Sequence, residues 1–178
     1  MNEIIQLHDK KFIKYISSQQ IDEAIEIVAE QLNKEYKEDP PIILVTLNGA
    51  IVFAVDLLKK INFSPVLSCI KINSYQGTKS SDNMNILIGL TEEVEGKRVL
   101  IIEDIVDTGK TYQTIVDLLN AKRTKEIRIA TLTMKPDAYK LDLPVHYVGI
   151  NITNNFVVGR GLDYDGLGRN LSDIYKLL

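Results

Sequence analysis

Three carboxylates, two threonines, a glycine and a lysine crowd between positions 103 and 111, as Glu103, Asp104, Asp107, Thr108, Gly109, Lys110 and Thr111. The apolar run from Val99 to Ile102 precedes them and predicts a buried strand ending at Ile102. An amphipathic helix is predicted from Thr111 to Ala121. A strand that hands over to a helix through a glycine turn is an anion site. The first helical N–H groups are unsatisfied and point outward, the helix dipole favours negative charge, and glycine lets the backbone approach closely. Thr108 and Thr111 add hydroxyl donors. The three carboxylates would repel a phosphate unless they face something else, and ribose hydroxyls with a magnesium ion suit them. The turn therefore predicts a sugar phosphate with an associated metal. Asp107 as a plain helix cap, with Glu103 and Asp104 solvated, is the competing reading. A nucleotide-hydrolysing P-loop is excluded, because its motif needs a glycine five positions before the second one, and Asp104 stands there.

The elements that must carry this turn alternate along the chain. Apolar residues at Ile21, Ala24, Ile25, Val28, Leu32 and Tyr36 predict a helix with one buried face, with Ser17 and Ser18 as candidate caps. Pro40 and Pro41 stop it, and a short strand follows over Ile42–Thr46. The loop Leu47, Asn48, Gly49, Ala50 leads into a helix over about Ile51–Lys60. Further strands are predicted at Val66–Ile72, Ile86–Leu90, Arg98–Ile102, Ile127–Thr133 and Val145–Ile150, and the tail from Phe156 reads as a strand, a glycine-rich loop and a short helix. The pattern implies an α/β fold, with a mainly parallel central sheet flanked by helices. One domain spanning 1–178 is expected for a chain of 178 residues.

Composition narrows the classes. The net charge of −3 gives no basic footprint for nucleic acid. No apolar stretch approaches the length of a membrane span, and the mixed-charge N-terminus does not resemble a secretory signal, so a cytoplasmic protein is expected. The lone Cys69 forms no intrachain disulfide and reads as a core thiol, while His8 and His146 show no ligand spacing.

The segment VLIIEDIVDTGKT, Val99 to Thr111, resembles the phosphoribosyl pyrophosphate (PRPP) signature of the type I phosphoribosyltransferases. The tail FVVGRGLDYD, Phe156 to Asp165, is similar to that of the members acting on hypoxanthine and guanine. The resemblance runs from about Ile42 to Leu178. It implies the type I fold with a small hood built from the terminal segments, magnesium as cofactor, and a homodimer or homotetramer. The implied reaction is purine salvage, in which hypoxanthine, and guanine as well, takes the phosphoribosyl group of PRPP and releases pyrophosphate.

Residue by residue, the resemblance assigns Glu103 and Asp104 to the ribose hydroxyls and the metal, and Asp107 to Thr111 to the 5′-phosphate. Asp107 is also the implied catalytic base beside N7 of the purine. Lys135 would donate to the 6-oxo group, which an ammonium can do and which adenine's amino group would not accept. Phe156 would stack on the base, the Val157 backbone would meet its edge, and Asp163 would orient a second magnesium. Arg169 would engage pyrophosphate. Ser74 and Tyr75 match a serine–tyrosine pair on a mobile lid. A solvated Lys135, a core-packed Phe156 and a disordered loop after Ser74 are the plainer alternatives. Two departures stand out: Asn48 replaces a lysine in the Leu47-Asn48-Gly49 loop that contacts pyrophosphate in relatives, and Asp82 replaces a glycine. Some proteins of this fold are nucleotide-sensing regulators, a class that the absent basic face disfavours where it requires nucleic-acid binding.

Overall fold

Alternation of side chains along a buried strand requires apolar cover on both faces. The strand β3 (Ile42–Leu47) meets that requirement in the computed structural model, which describes residues 3–74 and 84–178. Ile43 and Val45 join one core while Ile42 and Leu44 join the other. Around β3 lie β4 (Val66–Ser74), β5 (Met84–Ile88), β6 (Arg98–Val106), β7 (Glu126–Met134) and β8 (Tyr147–Asn151). They form one sheet in the order β5-β4-β3-β6-β7-β8, parallel throughout except for the antiparallel edge strand β5. Tyr75 and Asp82 lie outside the described residues, and Ser74 closes β4.

Helix α1 (Ser18–Tyr36) begins at a capping box. The Gln20 amide donates to the Ser17 hydroxyl and the Ser17 amide donates to the Gln20 side chain. Its buried stripe is the one read from the sequence, with Ala29 added. With α2 (Ile51–Leu58), which buries Phe53, Ala54 and Leu57, it covers one face of the sheet. The helix α3 (Lys110–Ala121) covers the other with Tyr112, Ile115, Val116 and Leu119. Each fully buried Ile, Leu or Phe adds roughly 1.5–3 kcal/mol. Cys69 is partly buried against the first core, in keeping with a packing role.

A second, antiparallel sheet, β1-β2-β10-β9, is the hood: β1 (Ile4–Leu7), β2 (Lys10–Ile16), β9 (Val157–Val158) and β10 (Ile174–Leu177). Phe12, Val158 and Tyr175 form its small core. Two sequence expectations are corrected, and one segment to which the sequence assigned no element takes shape. The chain ends in a strand and not a short helix, because Ile174 and Tyr175 bury themselves between β2 and β9. The N-terminal segment, whose mixed charges hid its alternation, is a hairpin. Strand β6 does not stop at Ile102. Its pairing with β7 persists to Val106 opposite Met134, so Glu103 and Asp104 lie inside the strand and are buried. Among the described residues no helix is long and apolar enough to cross a membrane.

Candidate active site

The carboxyl ends of β3, β6 and β7 meet beside the tail, the place where open α/β sheets bind ligands. A pocket there is lined by Glu103, Ile105, Val106 and the turn Asp107–Tyr112. Gly109 is the N-cap of α3, in the left-handed conformation with φ +84°, and no side chain caps the helix. A Cβ at Gly109 would also lie 2.6 Å from Tyr139 and Leu141, so glycine is required twice over. Thr108 and Lys110 are exposed at the pocket and Thr111 is half-buried. The capping reading of Asp107 fails. The helix takes no side-chain cap, and the Asp107 carboxylate receives a hydrogen bond from Lys135 Nζ at 2.7 Å. Lys135 itself is buried, not solvated, and its amide donates to Val106 O at 2.9 Å.

The acidic pair divides between two surroundings. Glu103 lines the phosphate-side pocket, beside Thr46 of β3, but its Oε2 is buried without a hydrogen-bond partner. Asp104 turns toward the β3–α2 loop. Its Oδ2 sits over Gly49, where an added Cβ would lie 1.7 Å away, and its Oδ1 accepts from the Ile105 amide at 2.9 Å. Burial pushes the Asp104 carboxyl up to about 6, against the opposing pull of its backbone hydrogen bonds and of the Arg169 charge. Burial, and then the neighbouring Asp104 charge, raises Glu103 well above the ordinary carboxylate range. Asn48 is exposed at the tip of the same loop.

The tail supplies the third wall. Arg169 pairs with Asp163 Oδ1 at 2.7 Å and donates to Gly161 O at 2.7 Å. Asp163 Oδ2 accepts from the Gly166 amide at 2.7 Å, so this carboxylate first organises its own loop and Arg169. Gly161 packs on Gly49, since a Cβ there would lie 2.1 Å from Gly49 O. Phe156 is 45% exposed, which removes the core-packing reading. Its ring leans on Tyr164 and Phe12, with centroids 6.0 and 6.3 Å away. Val157 is buried on β9, the edge of the hood sheet, so its outward main-chain groups are not used by the ladder.

The structure thus brings Glu103, Asp104, the Asp107–Thr111 turn, Gly49, Lys135, Asp163 and Arg169 into one neighbourhood. Sequence reading missed Thr46, Tyr139 and Gly161, whose parts depend on close approach between distant segments. The signal available for Gly161 was its Gly159-Arg160-Gly161 spacing. The expected metal ligands Glu103, Asp104 and Asp163 do not form a closed cage. Among the described residues no three His, Cys, Asp or Glu cluster that way. Carboxylates beside an anion pocket still fit magnesium, which usually keeps several waters and takes one or two carboxylates plus substrate oxygens. The unpartnered Oε2 of Glu103 likewise leaves an oxygen acceptor at the pocket.

A family model of the phosphoribosyl transferase domain matches residues 15–165. The hypoxanthine-guanine phosphoribosyltransferase of Staphylococcus epidermidis is 40% identical over 147 residues, 82% of each chain. The bifunctional protein TilS/HprT of Listeria monocytogenes is 38% identical over 157 residues, 88% of this chain. The chain spans only 24% of the length of that relative. The crystal structure of a hypoxanthine phosphoribosyltransferase from Staphylococcus aureus superposes with a TM-score of 0.86 at 36% identity, covering 93% of this chain and 90% of the other.

Proposed function

This chain belongs to the phosphoribosyltransferase family, and from that premise we propose that it transfers the phosphoribosyl group of PRPP to hypoxanthine, and to guanine as well, forming IMP or GMP and pyrophosphate in purine salvage. The observation that carries this reading is the Lys135–Asp107 pair at 2.7 Å beside the phosphate turn. It sets a buried donor suited to a 6-oxo group next to a carboxylate suited to a purine ring nitrogen.

The division of labour follows from the side chains. The α3 N-terminus, Gly109 and the two threonines bind the 5′-phosphate. Glu103 and Asp104 accept from the ribose hydroxyls and fix the sugar. Phe156 covers the base, the Val157 main chain meets its edge, and Lys135 donates to its 6-oxo oxygen. Asp107 takes or holds the ring-nitrogen proton as N9 bonds to C1′ and the C1′–pyrophosphate bond breaks. Arg169, steered by Asp163 and Gly161 O, receives the departing anion. Magnesium, when bound, would supply positive charge to offset that of the pyrophosphate, and Glu103, Asp104 and Asp163 are the carboxylates that would hold or orient it. Positioning and electrostatics supply most of the acceleration.

We place the enzyme in the cytoplasm as a homodimer or homotetramer. The exposed apolar side chains of Val66, Leu67, Ile86, Leu87 and Ile88 on β4 and β5 support an assembled state. The deciding assay offers PRPP and magnesium with hypoxanthine, guanine, xanthine, adenine, uracil or orotate. Turnover of hypoxanthine is expected. No turnover with any base would overturn the enzyme reading, and turnover of adenine or orotate alone would overturn the 6-oxopurine assignment.

A further inference from the structure

Arg160 sits in an unusual stretch of backbone. Gly159, Arg160 and Gly161 all have positive φ, at +103°, +50° and +105°. Glycine takes such angles freely, whereas a side chain with a Cβ does so at a cost. An arginine there has to be held by its own contacts. Its guanidinium, with a side chain only 12% exposed, pairs through one terminal nitrogen with Asp22 of α1 and, at 2.9 Å, with Asp56 of α2. The other terminal nitrogen approaches Ser172 O at 3.4 Å. One side chain therefore ties the tail loop to both helices on that face of the sheet.

The backbone around Arg160 leads directly into the site. The Arg160 amide donates to Leu171 O and the Gly161 amide to Arg169 O, both at 2.9 Å, while Arg169 returns a hydrogen bond to Gly161 O. Gly161 is pressed against Gly49, and Gly49 lies under Asp104. Asp56 belongs to the helix that the Asn48-Gly49 loop introduces. Arg160 thus ties the tail loop to the helix that follows the Asn48-Gly49 loop, from outside the candidate pyrophosphate site.

We propose that Arg160 is a positioning residue, a strut between the tail loop and α2 that sets Arg169 and Gly49 for the pyrophosphate end of PRPP. This rests on the substrate reading above and goes beyond it, because no atom of Arg160 is assigned to substrate. Neither Asp22 nor Asp56 belongs to the signature segments.

Arg160→Gly and Arg160→Asn separate the strut from the fold, since both replacements tolerate left-handed backbone. Each is expected to raise KM for PRPP about tenfold while kcat stays within about threefold and KM for hypoxanthine within about twofold. Arg160→Lys, whose ammonium can pair with both carboxylates from one nitrogen but lacks the second nitrogen that reaches Ser172 O, should recover part of the loss. Asp56→Asn should act in the same direction and add little to Arg160→Gly. Hydrogen exchange of the Arg160 and Gly161 amides supplies a readout independent of turnover, and faster exchange is expected in both Arg160→Gly and Arg160→Asn. Unchanged exchange overturns the strut. Faster exchange with unchanged KM for PRPP, or an equal rise in both KM values, overturns the positioning role. A wild-type protein that binds no PRPP overturns the substrate reading and with it the positioning role, while the exchange result still judges the strut.

Discussion

Lys135 Nζ stands 2.7 Å from Asp107 Oδ2, and the two residues come from the ends of neighbouring parallel strands, β7 and β6. The register fixes this meeting. Val106 pairs with Met134, so the next residue on each strand leaves the sheet at the same edge. Lys135 is buried and Asp107 is 44% exposed, so the pair is presented to the pocket from the carboxylate side. The contact balances the charge of the buried lysine in the free protein.

Asp107→Asn is expected to lower kcat by about 100-fold or more, the scale of a positioned proton-transfer group. Affinity for the nucleoside monophosphate product should change by less than about threefold, because the amide keeps one acceptor oxygen for Lys135. Steady-state kinetics beside product titration calorimetry separates the two. Equal losses in both would assign Asp107 to binding alone.

The buried acidic pair predicts an inverted pH dependence of stability in the metal-free, ligand-free protein. Both carboxyls are raised in the folded state, Asp104 to about 6, chiefly by burial. In the unfolded chain they titrate near the ordinary value of about 4. Between those values the native state holds protons that the unfolded state has released. The contribution to stability is therefore full below about pH 4 and is lost as pH rises through about 6. Asp104→Asn keeps the Oδ1 acceptor for Ile105 and cannot ionise. It should melt several degrees above wild type at pH 8, a gain of up to about 3 kcal/mol, and at the same temperature near pH 4. Thermal melts across that range test this, and parallel profiles would refute it. The same variant should bind PRPP more weakly.

That trade explains which parts of the molecule were readable. The Val99–Thr111 turn was legible because its chemistry is local: an apolar strand, a glycine and a helix start lie next to one another in sequence. The cap at Ser17, one of two candidate serines, and the buried stripe of α1 were legible for the same reason. The end of β6 was not. Glu103 and Asp104 look like loop residues, and only pairing with β7 carries a strand through them at the cost of burying charge. The terminal strands were hidden because Ile4–Leu7 and Ile174–Leu177 are too short to show a period and are defined by each other's company around β2. Gly161 and Gly49 are distant in sequence, so their contact had no signal beyond the glycines themselves.

Gly161→Ala tests that contact. The residue has φ +105° and its added Cβ would lie 2.1 Å from Gly49 O, a backbone atom with little room to move. Strain and overpacking together should cost about 2–4 kcal/mol, lowering Tm by roughly 4–16 °C. Gly96→Ala is the control, because its φ is +69° with nothing within 4 Å of the added Cβ. That variant should lose only about 1–2 kcal/mol. Differential scanning calorimetry of the two would show equal losses if the close approach to Gly49 carried no energy.

Phe156→Ala asks whether an exposed ring is kept for stability or for a ligand. The side chain is 45% exposed and touches Phe12 and Tyr164 only through tilted or edge-on ring contacts. Truncation should therefore cost about 1 kcal/mol of stability. Loss of the stacking face should raise KM for hypoxanthine about tenfold and leave KM for PRPP nearly unchanged, since the phosphate turn lies on other strands. Phe12→Ala provides the contrast. Phe12 is fully buried at the centre of the hood, and its removal should cost about 3–5 kcal/mol. Melting curves and two-substrate kinetics on both variants decide the matter: a Phe156→Ala protein that melts as low as Phe12→Ala would make the ring a packing element and remove it from the base site.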